Sequence, residues 1–416
     1  MAWGVNLAPT ASSLAKLLVI GVVHSCFTTS AKSVSRLCQA ETEDSHKHRK
    51  ALLTRWSRVV PLGDKSADFK EEHGEKAARL AEEDVQTAAR PLTRVVLSRV
   101  DALAVCNDGS PASYFWRPAS PGGERIWLVF LHGGYGCHGD KDCSNSGSRQ
   151  TSSNEYPASL QLGGLFSPQS PLYTANVAFV PYCSSDAHVG DAGADENAAK
   201  VHFRGARIVR AVFSDLASGP TGISPGDLVV VGGQSAGARG AMLHIDSMAV
   251  RSGGALPAGI KMVGLFDSGF WVDQAEILVP GQGVVQNLTN HTRTLLSVAA
   301  ASSFVAPPEC RQLLGSDWKC FFSAHRLPLL QAPFLLLAPQ SDTFQLRMAG
   351  GPAGLNQDQA EALAAAVRRS MKGLIRDRPK TAGVFSTGCK SYSGVLDDSF
   401  FHPSGKHTQS GAEALR

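Results

Sequence analysis

Short apolar runs recur along the chain from Leu97 onward, separated by stretches of helical composition. Ile126-Trp127-Leu128-Val129-Phe130-Leu131 and Leu228-Val229-Val230-Val231 are apolar at successive positions. That is how a strand reads when it is buried on both faces. Val177-Ala178-Phe179-Val180-Pro181, Ala206-Arg207-Ile208-Val209-Arg210-Ala211-Val212-Phe213 and Leu228 to Val231 follow in turn, strand-like runs alternating with helical stretches. Met262-Val263-Gly264-Leu265-Phe266 and Phe334-Leu335-Leu336-Leu337-Ala338 predict further strands, and Gln357 to Leu374 predicts a long Ala-rich helix. Alternation of this kind implies an α/β fold with a mostly parallel central sheet and helices on both faces. No internal repeat is present.

The N-terminal part reads differently. Lys16 followed by Leu17-Leu18-Val19-Ile20-Gly21-Val22-Val23 and then small and polar residues has the form of a signal peptide or targeting leader, assigned to residues 1–33. The apolar run is too short to span a bilayer, and no other stretch approaches that length. Residues 34–93 are charged, with Glu41-Thr42-Glu43-Asp44 and Lys70-Glu71-Glu72-His73-Gly74-Glu75-Lys76, and read as a solvated pro-region or linker. Glu75 to Ala89 within it has helical composition. Residues 94–416 are then the folded domain.

Two strand ends carry chemistry. Gly233-Gln234-Ser235-Ala236-Gly237 joins a predicted strand to the helical stretch Ala238-Arg239-Gly240-Ala241-Met242-Leu243, which makes it a nucleophile elbow. Such a turn needs small flanking residues and lifts the serine hydroxyl clear of the sheet. The run Ile126 to Leu131 ends in His132-Gly133-Gly134-Tyr135-Gly136, where glycines let backbone N–H groups approach a substrate carbonyl. The order, loop first and elbow afterwards, is that of α/β-hydrolases.

Serine at its free pKa is a weak nucleophile and needs a base, which in turn needs an acid to orient it. In this fold the order is Ser, acid, His. Asp342, in Pro339-Gln340-Ser341-Asp342 after the last predicted strand, is the best acid. His402 and His407 are the histidines beyond it, and His325 precedes it and breaks the order.

Several motifs together resemble the pectin acetylesterase and Notum family of carboxylesterases. They are Cys106-Asn107-Asp108-Gly109-Ser110-Pro111, the loop Leu131 to Cys137 with Cys143 beyond it, and Val180-Pro181-Tyr182-Cys183-Ser184-Ser185-Asp186. Phe203-Arg204-Gly205-Ala206, the elbow, Asp267-Ser268-Gly269-Phe270 and Cys320-Phe321-Phe322 complete the set. The resemblance covers about Leu97 to Cys389. It implies Ser235 as nucleophile, Asp342 as acid, and Gly134, Tyr135 and Ala236 as oxyanion donors. It also implies bridges Cys137–Cys143 and Cys106–Cys183, with Asp267 and Ser268 a structural pair behind the nucleophile. Tyr135 stands where the family usually has tryptophan.

One departure matters more. The family histidine follows a cysteine in a Cys-x-x-His pattern, and here that stretch reads Cys389-Lys390-Ser391-Tyr392. A phenol with pKa about 10 is a poor base at neutral pH. Either His402 supplies the base from further along the chain, or the protein is a pseudoenzyme that binds a carbohydrate or an acylated ligand. The expected activity is hydrolysis of O-acyl esters, acetyl esters on a polysaccharide such as pectin ahead of a lipidated protein.

Composition changes this picture little. A formal charge of +4 over 416 residues, with no basic stripe interleaved with aromatics, argues against nucleic acid as a partner. No metal or organic cofactor is implied. The cysteines lack a C-x-x-C spacing and sit in loops at strand ends; with the sequons at Asn287 and Asn290 they point to a secreted protein. Cys26, Cys38, Cys310, Cys320 and Cys389 are left without assigned partners.

Overall fold

The computed structural model describes residues 90–136, 151–219, 221–248, 256–273, 288–298, 307–350, 354–386, 388, 390–392 and 394–396. The leader, the charged segment with its helical stretch, Cys137 and Cys143, Cys389, His402 and His407 lie outside the described residues.

Among the described residues nine strands form one sheet: β1 (Leu92–Val96), β2 (Ser113–Arg117), β3 (Ile126–Leu131), β4 (Ser159–Leu160), β5 (Asn176–Val180), β6 (Leu228–Gln234), β7 (Lys261–Asp267), β8 (Phe334–Leu337) and β10 (Ala382–Phe385). Their spatial order is β10-β8-β7-β6-β3-β5-β2-β1-β4. The pairs from β10 across to β5 are parallel, while β2, β1 and β4 extend the sheet in antiparallel fashion. A separate pair joins β9 (Ser341–Asp342) to β11 (Lys390–Ser391), also parallel.

The apolar strands at the centre serve two cores. On β3, Trp127, Val129 and Leu131 point to one side and Ile126, Leu128 and Phe130 to the other. On β6, Val229 and Val231 share the first core while Val230 enters the second. This alternation within a wholly apolar run is what buries a parallel strand on both faces. Among the described residues three helices pack on the first face: α1 (Gly205–Ala217), α2 (Ala236–His244) and, through Leu363, Val367, Met371 and Leu374, the long Gln357–Asp377 helix. Leu165 and Phe166 in a 3-10 turn, Leu172 and Val395 cover the second face among the described residues. Helices α3 (Leu288–Val298), α4 (Pro308–Leu314) and α5 (Thr343–Gly350) lie near the C-terminal ends of the strands, and the Gln357–Asp377 helix is α6.

Two disulfides are formed among the described residues. Cys106–Cys183 matches the pairing expected from the resemblance, and Cys310–Cys320 joins two cysteines left unassigned. The first fastens the turn at Asn107 to the loop after β5. That loop is organised by the buried Asp186, which accepts from Ser184 Oγ (2.6 Å), His188 N (2.9 Å), Gly190 N (3.1 Å) and Gly205 N (2.8 Å). Burial still pushes its carboxyl up to about 6 against those donors. Gly205 is required here, since a Cβ would fall 2.2 Å from Asp186 Oδ1. No helix among the described residues is long and apolar enough to cross a membrane.

Candidate active site

β6 runs straight into Ser235, whose backbone takes φ 56° and ψ −120°, and α2 starts at the next residue. A non-glycine residue at positive φ is strained and persists only where its surroundings force it. Here the forcing contacts are clear. Ser235 N donates to Asp267 O (2.8 Å), and Arg239 N donates to Ser235 O (3.2 Å). The tight turn leaves no room around it, because a Cβ on Gly237 would lie 2.0 Å from Leu131 O. This is the tight strand–turn–helix geometry expected from the sequence, with Ser235 at its apex.

The glycine loop lies directly alongside. β3 and β6 pair with Leu131 opposite Gly233, so the residues after Leu131 pass next to Ser235. Gly133 is packed so closely that a Cβ there would sit 2.9 Å from Ser235 Cβ. Gly134 is half-buried and Tyr135 is 63% exposed at the rim, where its hydroxyl accepts from Arg347 Nη2 of α5 (3.4 Å). Ala236 is buried at the start of α2. Nearby His188 is fully buried, with Nε2 on His132 O (2.9 Å), and desolvation pulls its pKa down to about 3.

Asp342 and the C-terminal stretch meet through β9 and β11. Asp342 stands opposite Ser391, which brings Tyr392 just past it. Asp342 is buried and caps α5, its Oδ1 accepting from Gln345 N (2.8 Å). Desolvation raises its pKa to about 7, and the neighbouring Asp267 charge adds to the rise. Asp267 Oδ2 accepts from Gly394 N (3.1 Å) and Val395 N (3.0 Å), and Leu165 N donates to Val395 O (2.7 Å). The segment after residue 392 is therefore held on both sides. Ser268 Oγ donates to Asp267 Oδ1 (2.8 Å).

Among the described residues Tyr392 reaches Ser235: its hydroxyl is hydrogen-bonded to Ser235 Oγ. Burial raises the phenol further above its ordinary value, with Asp342 and Asp267 also opposing ionisation and the Ser235 contact partly offsetting them. The structure thus brings together Ser235, Asp342, the glycine loop and Tyr392. His402 lies outside the described residues. Among the described residues no group of three His, Cys, Asp or Glu converges as a metal site.

Sequence reasoning passed over the wall beside Tyr392. Phe344 lies 6.1 Å from the Tyr392 ring and stacks on Trp271 at 4.9 Å, and Arg347 lies over the Phe344 ring at 5.6 Å. A second missed residue is Arg239, on the turn of α2 that follows Ser235, buried at 3% exposure. Its signal was a charged residue inside an otherwise small and apolar helix.

A sheet of this order with a strained serine between β6 and α2 is α/β-hydrolase-like, and the Wnt deacylase Notum from Drosophila has the same fold. That solved structure aligns with TM-score 0.63 at 25% identity, covering 75% of this chain and 88% of its own. A family model described as Pectinacetylesterase matches residues 85–403, and the chain belongs to the pectinacetylesterase family. Palmitoleoyl-protein carboxylesterase NOTUM of Homo sapiens is 28% identical over 322 residues, 71% of this chain and 60% of the relative. Pectin acetylesterase 11 of Arabidopsis thaliana is 29% identical over 268 residues, 63% of this chain and 65% of the relative. The chain therefore spans about three fifths of the length of the Notum relative and slightly more of the plant one.

Proposed function

We propose that the chain is a serine carboxylesterase of impaired turnover that binds an O-acyl ester at the Ser235 elbow. Ser235 is the nucleophile, Asp342 the acid, and the N–H groups of Gly134, Tyr135 and Ala236 receive the oxyanion. The observation that carries this reading is the Tyr392 hydroxyl on Ser235 Oγ, in the place where the family has histidine. A phenol kept neutral by burial takes no proton from serine at neutral pH, so attack on the acyl carbon is slow while ester binding is retained.

The acyl group in this reading is short. Phe344 already packs against both Trp271 and Tyr392, and the Tyr392 hydroxyl occupies the space at Ser235 Oγ, which favours acetyl over a long chain. An acetylated polysaccharide is the carrier most in keeping with that, and the name of the Arabidopsis relative agrees with it. A lipidated protein is the second reading, favoured by the names of the Notum relatives. Two disulfides among the described residues support a secretory location.

Hydrolysis of 4-nitrophenyl acetate and of a longer-chain analogue by the full chain tests the proposal, beside Ser235→Ala and His402→Ala. We expect weak turnover that prefers acetate, disappears in Ser235→Ala and changes less than about twofold in His402→Ala. Vigorous turnover abolished by His402→Ala would instead make His402 the base of a complete triad.

A further inference from the structure

The glycine loop beside Ser235 leaves β3 at His132, whose N–H still donates to Val180 O (2.9 Å). Gly133 and Gly134 follow, and without a Cβ their peptide planes turn freely. Donors to an oxyanion have to point at it before the reaction starts. The His132 carbonyl is where the loop is tied down. The peptide it begins is wedged against the elbow, since a Cβ on Gly133 would lie 2.4 Å from Gln234 O and one on Gly237 2.8 Å from His132 O.

His132 O accepts from Nε2 of His188 (2.9 Å), and His188 O in turn accepts from Nε2 of His244 (2.6 Å). A carbonyl only accepts, so both rings carry their proton on Nε2. Nδ1 of each ring is buried without a partner. A proton there would be a buried donor with nothing to receive it, so Nδ1 is bare. Burial holds both imidazoles neutral, pulling His188 down to about 3 and His244 to about 4.

The backbone that presents His188 is strained. Ser185, Ala187 and His188 take positive φ, at 52°, 55° and 62°. Asp186 fixes His188 N, and the Tyr182 hydroxyl accepts from Ala187 N (2.8 Å) while its ring lies 5.0 Å from the imidazole. α2 closes on the same residue, since a Cβ on Gly240 would lie 2.9 Å from His188 Cβ. Strain held by this many contacts points to a side chain whose direction matters.

We propose that His188 is a positioning residue for the oxyanion donors, its Nε2–H holding the His132 carbonyl so that the peptide between His132 and Gly133 cannot flip. In a trans peptide C=O and N–H point opposite ways, so a flip exchanges them and carries the N–H groups of Gly134 and Tyr135 off the reacting oxygen. His244 is the second link. It is the last residue of α2, the helix whose first residue is Ala236, so the two imidazoles tie the donor on the helix to the donors on the loop. The inference rests on the proposed role of Ser235 and of those N–H groups.

Trifluoroacetone tests it in the full chain without turnover. Ser235 Oγ bonds to the carbonyl carbon, the hydroxyl proton leaves to water, and the ketone oxygen becomes the oxyanion; the 19F signal of the adduct gives its Kd. We expect Kd to rise about 10- to 100-fold in His188→Met and to return to within about threefold of the parent in His188→Gln, whose amide N–H₂ stands where the imidazole Nε2–H was. In the Tyr392→His background His188→Met lowers kcat by about the same factor, with KM changed less than about threefold, and His188→Gln restores it. An adduct of equal affinity in folded His188→Met overturns the proposal and leaves the role of Ser235 standing. An adduct that survives Ser235→Ala, or none in the parent, overturns that role and the proposal with it. Where His188→Met does not fold, the parent imidazole decides: its 15N spectrum shows the proton on Nε2, and that N–H resonance shifts when the adduct forms. A proton on Nδ1, or a resonance indifferent to the adduct, overturns the proposal.

Discussion

Replacing Tyr392 with histidine raises kcat/KM for 4-nitrophenyl acetate by roughly 100-fold or more at neutral pH, the contribution typical of a positioned general base. The backbone is already set for it. Pairing of Ser391 with Asp342 delivers residue 392 to the acid, and Asp267 holds the two N–H groups beyond it. The Tyr392 hydroxyl touches Ser235 Oγ, so a side chain at this position points at the nucleophile. An imidazole is smaller than a phenol and enters without a clash, giving up part of the Phe344 contact. It is also neutral and basic near pH 7, where the buried phenol keeps its proton.

The gain carries a pH signature: activity of Tyr392→His rises as the imidazole deprotonates, around pH 6 to 7, and then levels. Ser235→Ala in the same background returns the rate to that of the parent chain or below. Parity between the parent and a folded Tyr392→His would mean that the phenol is not what limits turnover, and the impaired-triad reading would be abandoned.

The parts of this site that were legible in the sequence are those set by local rules. Ser235 was readable because an elbow demands glycines at fixed offsets, and the close approach of Gly237 to Leu131 O is that demand in coordinates. β3 and β6 were readable because burial on both faces leaves no polar position in the run. β1 and β2 were not, since Arg94 interrupts LTRVV and SYFWR is short and ends in the charged Arg117. Both arginines are absorbed by distant carbonyls, Arg94 by Tyr156 and Ser153, Arg117 by Phe166 and Tyr173. The two-residue strands β9 and β11 have no pattern of their own and exist through each other. Arg239 was opaque for a similar reason: the rings and acceptors that surround it come from segments about 30 to 80 residues further along the chain.

Asp342→Asn stabilises the protein at pH 8 by roughly 1–3 kcal/mol and has little effect at pH 4, as urea denaturation at the two pH values will measure. The folded carboxyl keeps its proton up to about pH 7, whereas its ordinary value is 3.8. Proton binding therefore favours the folded state. The stabilising contribution is complete below the unfolded pKa and is lost as pH rises through the folded one. Above pH 7 the native protein must hold a carboxylate away from water, and asparagine, which resembles the protonated acid in shape and keeps an oxygen to cap α5, relieves that cost.

Another buried carboxylate, Asp186, provides the contrast. Asp186 is also raised to about 6 by burial, but it accepts three backbone N–H groups. Both oxygens of Asp186 accept backbone N–H groups, so asparagine there must turn its N–H₂ toward a backbone donor, and Asp186→Asn destabilises at both pH values. A gain from Asp342→Asn that is equal at pH 4 and pH 8 would show that its carboxyl is not desolvated. A gain confined to high pH, together with loss of the activity that Tyr392→His introduces, would make Asp342 a residue kept at the expense of stability for the chemistry of the site.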